Sequence, residues 1–119
     1  MKQKILGTTG LRVSELSLGT MTFGEDFGWG SSVEESRKVF HTFLDHGGNF
    51  LDSADFYTNG SSETIIGDLS QGIRDQLVIT SKYTFNTDPQ NSNAGGNQRK
   101  NMMRAVEKSL GRHWSRRSM

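Results

Sequence analysis

The stretch NFLDSADFYTNGSSE, residues 49–63, decides how the chain is interpreted. Its apolar start, Phe50 and Leu51, is typical of a buried strand, and that strand is expected to end at Asp52. Tyr57 follows five residues later, in a segment too polar to form core. A carboxylate at a strand tip with a phenol just beyond it indicates a site rather than packing.

Two other apolar runs end in the same way, LSLGT (16–20) at Thr20 and QLVITSK (76–82) at Lys82. Helices are predicted after each strand, and an N-terminal β-hairpin is predicted over residues 2–13. The alternation predicts an α/β fold, with a parallel sheet covered by helices. The strand ends at Gly19, Asp52 and Lys82 are 33 and 30 residues apart. This spacing fits the βα units of a barrel of ~250 residues, although doubly wound sheets have similar units.

The helix boundaries follow from capping patterns and apolar periodicity. Ser32 and Glu35 form a capping box at the start of the first helix. We expect Ser61 or Ser62 to cap the second helix. The third helix, about residues 97–111, is predicted to turn an apolar face inward, formed by Met102, Met103, Val106 and Leu110.

The carboxyl ends of barrel strands share one rim, so Asp52, Tyr57 and Lys82 are expected to lie together there. A free tyrosine, with a pKa near ~10, is a poor acid, and a neighbouring ammonium makes a phenol more acidic. The lysine in turn needs a nearby anion, which Asp52 supplies. Such a tyrosine can protonate a carbonyl oxygen as hydride reaches the carbon, with no metal required. We interpret Asp55 as a solvated loop residue.

The segment NFLDSADFYTNGSSETIIG, followed by VITSK, resembles the aldo-keto reductases, and the resemblance extends over residues 3–112. It implies a (β/α)8 TIM barrel that binds NADPH without a Rossmann motif and carries an Asp–Tyr–Lys–His tetrad. Asp52, Tyr57 and Lys82 match the first three tetrad members. LGTMTFG is similar to the first-strand loop of the family, which implies cofactor contacts for Thr20 and Met21 together with Asp52.

The end of the chain departs from the family pattern. Residues 1–112 are predicted to form the N-terminal part of an incomplete barrel, namely its first three βα units, and residues 113–119 an unrelated basic tail. His113 follows the third helix too early to be the tetrad histidine. A frameshift, alternative splicing or a wrong gene end would each produce this pattern, and we expect an inactive or impaired fragment.

Three functions stay open. The resemblance implies NADPH-dependent reduction of small aldehydes or ketones. The alternatives are a non-catalytic NADP-binding or regulatory module, similar to family members that serve as ion-channel subunits, and a fragment with no function of its own. Replacement of Tyr57 by phenylalanine would separate the first function from the others, because only catalysis needs the proton of its hydroxyl.

Composition limits the partners. The 119 residues fit one domain, with 32% apolar residues, a net charge of +1 and no cysteine. We therefore expect a cytoplasmic protein that binds neither nucleic acid nor membrane, while its oligomeric state stays open. GWGSSV (28–33) lacks the third glycine of a dinucleotide fingerprint. His41, Asp45 and His46 lack further ligand spacing, so no metal site is predicted.

Overall fold

The computed structural model describes residues 1–113. Five short strands and three α-helices alternate along the chain in the predicted order. Their bounds are β1 Gln3–Ile5, β2 Arg12–Ser14, β3 Leu18–Gly19, α1 Val33–Asp45, β4 Phe50–Asp52, α2 Ser61–Leu69, β5 Val78–Thr80 and α3 Arg99–His113. Two 3₁₀ turns, Tyr57–Gly60 and Arg74–Gln76, precede α2 and β5.

The strands form two sheets. β1 and β2 pair antiparallel as the expected hairpin. β3, β4 and β5 form a parallel sheet in sequence order, with Leu51 opposite both Leu18 and Ile79. A parallel sheet with sequential strands joined by helices is the arrangement of an incomplete α/β barrel, which confirms the predicted fold class.

The core lies where the sheet meets α1 and α2. Leu51 at the centre of β4 is fully buried, because it has a strand on each side. Around it, a cluster of buried side chains excludes water: Phe23, Phe40, Ile65, Ile66 and Leu77. No helix within residues 1–113 has both the length and the apolar character that a membrane crossing needs.

The start of α1 confirms the predicted capping box. Glu35 N donates to Ser32 Oγ at 3.2 Å, and Ser32 N donates to Glu35 Oε2 at 3.1 Å. Two otherwise unsatisfied amides are thereby paired. Gly47, with φ of +83°, follows the end of the helix in a backbone conformation that glycine adopts readily.

The start of α2 differs from the prediction. Gly60, with φ of +93°, takes the N-cap position and makes no side-chain cap, so neither Ser61 nor Ser62 caps the helix. The physical reason is the preceding 3₁₀ turn, which leads directly into α2. Thr58 Oγ1 instead accepts from Ser62 N at 3.0 Å and donates to Phe23 O at 2.7 Å.

The predicted inner face of α3 is also wrong. Of the four predicted residues only Met102 is partly buried, and Met103, Val106 and Leu110 are about half exposed, whereas Asn101 and Ala105 are buried. Asn101 sets this rotation, because its Nδ2 donates to Tyr83 O at 2.9 Å and to Gly96 O at 3.0 Å. A buried amide that satisfies loop carbonyls outweighs the apolar periodicity of the helix.

The C-terminal end of α3 packs closely against α2. A Cβ atom at Gly67 would lie 2.2 Å from the backbone oxygen of Arg112. Only glycine permits this approach, which brings the Arg112 side chain over the interior of the fold. The contact therefore links helix packing to the candidate site described below.

We predict that Gly67→Ala destabilises the protein by about 1–3 kcal/mol, because the added methyl group would clash with the backbone of α3, which cannot move without disturbing the helix packing. Gly111→Ala in α3 is the matched control, since a Cβ there meets nothing within 4 Å. It should stabilise the helix by up to about 1 kcal/mol. Urea unfolding of both variants measures the difference, and a Gly67→Ala protein as stable as the wild type would contradict the close packing.

Candidate active site

The carboxyl ends of β4 and β5 lie side by side. Asp52 is in register with Thr80, and the backbone continues the pairing beyond the strands. Ser53 N donates to Thr80 O at 2.9 Å, and Asp55 N donates to Lys82 O at 3.0 Å. These bonds hold the segment that carries Lys82 against the segment that leads to Tyr57.

Lys82 connects the other two residues that were predicted to share its rim, Asp52 and Tyr57. Its Nζ lies 2.8 and 2.9 Å from the two carboxylate oxygens of Asp52 and 3.1 Å from the Tyr57 hydroxyl. It also donates to Ser53 O at 2.8 Å and lies 4.8 Å from the centre of the Tyr57 ring. An acid, an amine and a phenol therefore share a single hydrogen-bonded cluster at the sheet edge.

Thr80 is a member of the cluster that sequence reasoning missed. Its Oγ1 donates to Asp52 Oδ1 at 3.1 Å, which fixes the carboxylate that holds Lys82. The available signal was strand periodicity, because Thr80 lies two residues before Lys82 and so on the same side of an extended chain. Thr80 was missed because a β-branched residue in a strand is usually explained by its preference for strands alone.

The surroundings of Lys82 keep its side chain charged. Burial by itself would lower the pKa of Lys82, but the hydrogen bonds to Asp52 and Tyr57 and the charge of Asp52 together raise the pKa above its usual value. The cluster is nevertheless open to water, since the side chains of Lys82 and Asp52 are 49% and 41% exposed. The protein covers one side of the cluster and solvent reaches the other.

Thr20 does not face this open side. It is fully buried, its Oγ1 donates to Asp52 O at 3.0 Å, and it accepts from Ser62 Oγ at 3.0 Å. In this structure the Thr20 hydroxyl therefore bonds within the fold, and the cofactor contact that the resemblance implies for Thr20 stays a prediction. Met21 is 48% exposed and remains accessible.

Asp55 is not the solvated loop residue that was expected. It is only 6% exposed, and its Oδ1 has no hydrogen-bond partner among the described residues. Burial raises the pKa of Asp55, and the nearby charge of Glu63 adds to that effect. Its burial results from α3, whose Arg112 Nη1 reaches Asp55 O at 3.4 Å across 57 residues of sequence.

Glu63, which is fully buried, is the centre of a second cluster beneath the first. Ser81 Oγ donates to its Oε1 at 2.6 Å, and Arg112 Nη1 donates to its Oε2 at 2.8 Å. Ser81 directly precedes Lys82, so the buried carboxylate fixes the backbone from which the amine extends. Sequence reasoning missed this role, because an acid in the first turn of a helix usually lies in solvent.

His113 lies beside this buried acid. Its Nε2 is 3.5 Å from Glu63 Oε1, without the alignment of a hydrogen bond, and among residues 1–113 no hydrogen bond joins it to Tyr57 or Lys82. Burial alone would raise the pKa of Glu63, but contacts with His113, Ser81 and Arg112 hold that pKa at about 2. Glu63 is therefore ionised across the physiological range.

The part of the chain that the structure describes contains no group of three or more His, Asp or Glu side chains that could hold a metal ion. His46 Nδ1 lies 2.8 Å from Thr42 O of α1.

A parallel sheet covered by helices, with ionisable side chains gathered at the carboxyl ends of its strands, defines part of an α/β-barrel enzyme scaffold. The chain belongs to the aldo/keto reductase family, whose family model matches residues 15–113. An aldo-keto reductase from Bacillus halodurans, solved in its holo form, superimposes with a TM-score of 0.77 at 30% identity. That match covers 95% of this chain and 36% of the solved one.

Three curated relatives illustrate the functions found among similar chains. Norsolorinic acid reductase from Aspergillus flavus is 38% identical over 115 residues, which cover 87% of this chain and 29% of the relative. Aryl-alcohol dehydrogenase [NADP(+)] from Phanerodontia chrysosporium is 36% identical, over 85% of this chain and 30% of its own. A probable voltage-gated potassium channel subunit beta from Arabidopsis thaliana is 34% identical, over 94% and 34% respectively. The chain thus spans about a third of the length of these relatives.

We predict that Asp52→Asn lowers the pKa of Lys82, because the neutral amide removes the charge and one strong hydrogen-bond acceptor that stabilise the ammonium. An NMR titration of the Lys82 ε-methylene and Nζ resonances measures the change. Glu34→Gln, which neutralises an exposed acid on α1, should leave the same titration unchanged. An unaltered Lys82 titration in Asp52→Asn would show that the observed pairing does not hold in solution.

We also predict an acid-dependent stability from Glu63. Because its pKa falls from a usual value near 4.5 to about 2, its ionised form stabilises the fold above pH 4.5. That stabilisation, about 3 kcal/mol, is lost as the pH falls through 2. Glu63→Gln should lower stability at neutral pH and flatten the dependence of the unfolding free energy between pH 4.5 and 2. Denaturant unfolding across this pH range measures the effect, with Glu25→Gln, at an exposed residue, as the control. An unfolding free energy that depends on pH as steeply in Glu63→Gln as in the wild type would refute the prediction.

Proposed function

We propose that Asp52, Tyr57 and Lys82 form the proton-donating part of a site that reduces aldehydes and ketones with NADPH. The observation that supports this most is the position of one amine, Lys82 Nζ, within hydrogen-bond distance of both the Asp52 carboxylate and the Tyr57 hydroxyl. No metal has a part in the proposal, because a phenol next to an ammonium supplies the proton by itself.

When bound, NADPH would supply the hydride for the new C–H bond at the carbonyl carbon. As the C=O π bond breaks, its electron pair moves to oxygen, which takes the Tyr57 hydroxyl proton and becomes the alcohol. Lys82, held in place by Asp52, stabilises the negative charge that develops on the Tyr57 oxygen. A proton from solvent then restores the phenol.

The chemistry of the exposed groups fits the nicotinamide end of the cofactor. Met21 offers an exposed apolar surface, and Asp52 presents a partly exposed carboxylate that can accept hydrogen bonds from hydroxyl groups. Thr20 takes part only indirectly, through the Asp52 backbone. The name of the aryl-alcohol dehydrogenase relative includes NADP(+), which supports the choice of cofactor. A cytoplasmic location forms part of the proposal and is consistent with a chain free of cysteine.

Aromatic carbonyl compounds are the substrate class that we propose to test first. A row of neighbouring rings runs from Trp29 through Phe27 and Phe56 to Phe85, with centroid separations of 5.7, 5.5 and 4.9 Å. Phe56 directly precedes Tyr57, and Trp29 and Phe85 are 49% and 64% exposed. Ring surfaces of this kind attract aromatic ligands, and two relatives act, by their names, on norsolorinic acid and aryl alcohols.

We expect slow turnover of benzaldehyde by the 119-residue chain, because Lys82 and Asp52 are partly hydrated and water weakens electrostatic stabilisation. Tyr57→Phe should reduce that rate by about 10²–10⁴-fold, since it removes only the proton donor. Tyr83→Phe is the matched control, because the Tyr83 hydroxyl bonds to Asn97 and not to the cluster. NADPH oxidation followed by absorbance measures both variants. Equal rates for wild type and Tyr57→Phe would overturn the role proposed for Tyr57.

The second candidate is a non-catalytic NADP-binding or regulatory module. The relative named a probable channel subunit beta, 34% identical over 94% of this chain, supports it. The same samples distinguish the two candidates. NADPH binding, followed by fluorescence, that is equal in wild type and Tyr57→Phe and is accompanied by no turnover in either would favour the module over the reductase.

A further inference from the structure

A cavity of about 300 Å³ lies between α3 and the loop that carries Tyr57. We call it the loop–helix cavity and define it by Asp55, Phe56 and Asn59 on the loop and by Arg104, Lys108 and Arg112 on α3. Neither Tyr57 nor Lys82 lines it, so it is separate from the cluster at the strand tips. Its volume is at the lower end of the range of small-molecule sites.

The helix side of the cavity carries a row of positive charge. Arg104, Lys108 and Arg112 are four residues apart, which places them on one face of α3. Arg112 is paired with Glu63 at 2.8 Å. Within residues 1–113, by contrast, the side chains of Arg104 and Lys108 make no hydrogen bond and no ion pair. Like charges at this spacing repel each other, and a bound anion would relieve the repulsion.

The loop side of the cavity carries an acceptor that lacks a donor. Asp55 is 94% buried, and its Oδ1 has no hydrogen-bond partner among the described residues. A buried polar atom without a partner is costly, and in native proteins it usually has one. Lys108 acts on Asp55 only through its charge. Asp55 lines the cavity, so a small rotation of its carboxylate would bring this oxygen within reach of a ligand hydroxyl there.

We propose that the loop–helix cavity binds a small phosphate ester that carries hydroxyl groups. The phosphate pairs with Arg104 and Lys108, because a guanidinium and an ammonium match its charge and its several acceptor oxygens. A hydroxyl of the same molecule donates to Asp55 Oδ1. The cavity thus selects for an anion at one end and a hydrogen-bond donor at the other.

The position of the cavity gives such a ligand a route to the candidate active site. Asp55 and Asn59 flank Tyr57 in the sequence, and Thr58 and Asn59 have φ values of +48° and +56°, which are unfavourable for non-glycine residues. A ligand bonded to Asp55 would stabilise the loop in this conformation and so hold the Tyr57 backbone. The inference goes beyond the proposed reductase function, and its test needs no turnover.

An NMR titration of the 119-residue chain with glycerol 3-phosphate tests the site. We expect saturable shifts of the backbone amides of residues 55–59 and 104–108. Arg104→Gln should weaken binding about tenfold, the usual effect of losing a charged hydrogen bond, and Lys108→Gln provides a second variant with the same expectation. Arg37→Gln on α1, which removes the same charge from a helix outside the cavity, should bind like the wild type.

The ligand can be varied to test the role of Asp55. n-Propyl phosphate has the same phosphate and a similar length but no hydroxyl, and it should bind several-fold more weakly than glycerol 3-phosphate. Equal affinity for the two esters would overturn the assignment of Asp55 as the hydroxyl acceptor. Equal weakening by Arg37→Gln and Arg104→Gln, or no saturable shift at about 10 mM ester, where a millimolar site would be mostly filled, would overturn the site itself.

Discussion

The parallel pairing of β4 with β5 determines where every group of the candidate site lies. Because Asp52 is in register with Thr80, the last residue of β5, the next side chain on the same side of the extended chain is Lys82, directly beside the Asp52 carboxylate. A shift of one residue would turn Lys82 to the other face of the sheet and separate the amine from both the acid and the phenol. The buried Leu51 between its two neighbouring strands makes such a shift costly.

The cluster around Glu63 is a second constraint on the positions of Lys82 and of the Asp55 backbone. A fully buried carboxylate is tolerated only when it is paired and hydrogen-bonded, and here Ser81 and Arg112 supply both kinds of contact. Through Ser81 the cluster fixes the residue before Lys82, and through Arg112 it ties α3 to the Asp55 backbone. The reactive groups are open to solvent, but the carboxylate of Glu63, which holds the backbone that carries them, is fully buried.

The parts of the fold that could be predicted from the sequence are those that depend on local pattern. Strand and helix alternation, the hairpin, the capping box at Ser32 and the meeting of Asp52 with Lys82 all follow from periodicity and from the shared edge of parallel strands. The catalytic roles of these residues go beyond the geometry and are part of the proposed function.

The failures have a common physical cause, which is contact between residues far apart in the sequence. Asp55 is buried because Arg112 arrives from α3, and the rotation of α3 follows from carbonyls in the loop before it that pair with Asn101. Local sequence patterns do not predict such contacts. A polar residue in a loop or helix is therefore predicted to be solvated until its partner is known.

The most direct measurement is a nuclear Overhauser experiment on the isotopically labelled chain between the Lys82 ε-methylene protons and the Tyr57 ring protons. The distance of 4.8 Å between Lys82 Nζ and the ring centre predicts a clear cross-peak. Absence of that cross-peak, together with cross-peaks from Lys82 to side chains on the opposite face of the sheet, would contradict the convergence of acid, amine and phenol on which the proposed chemistry depends.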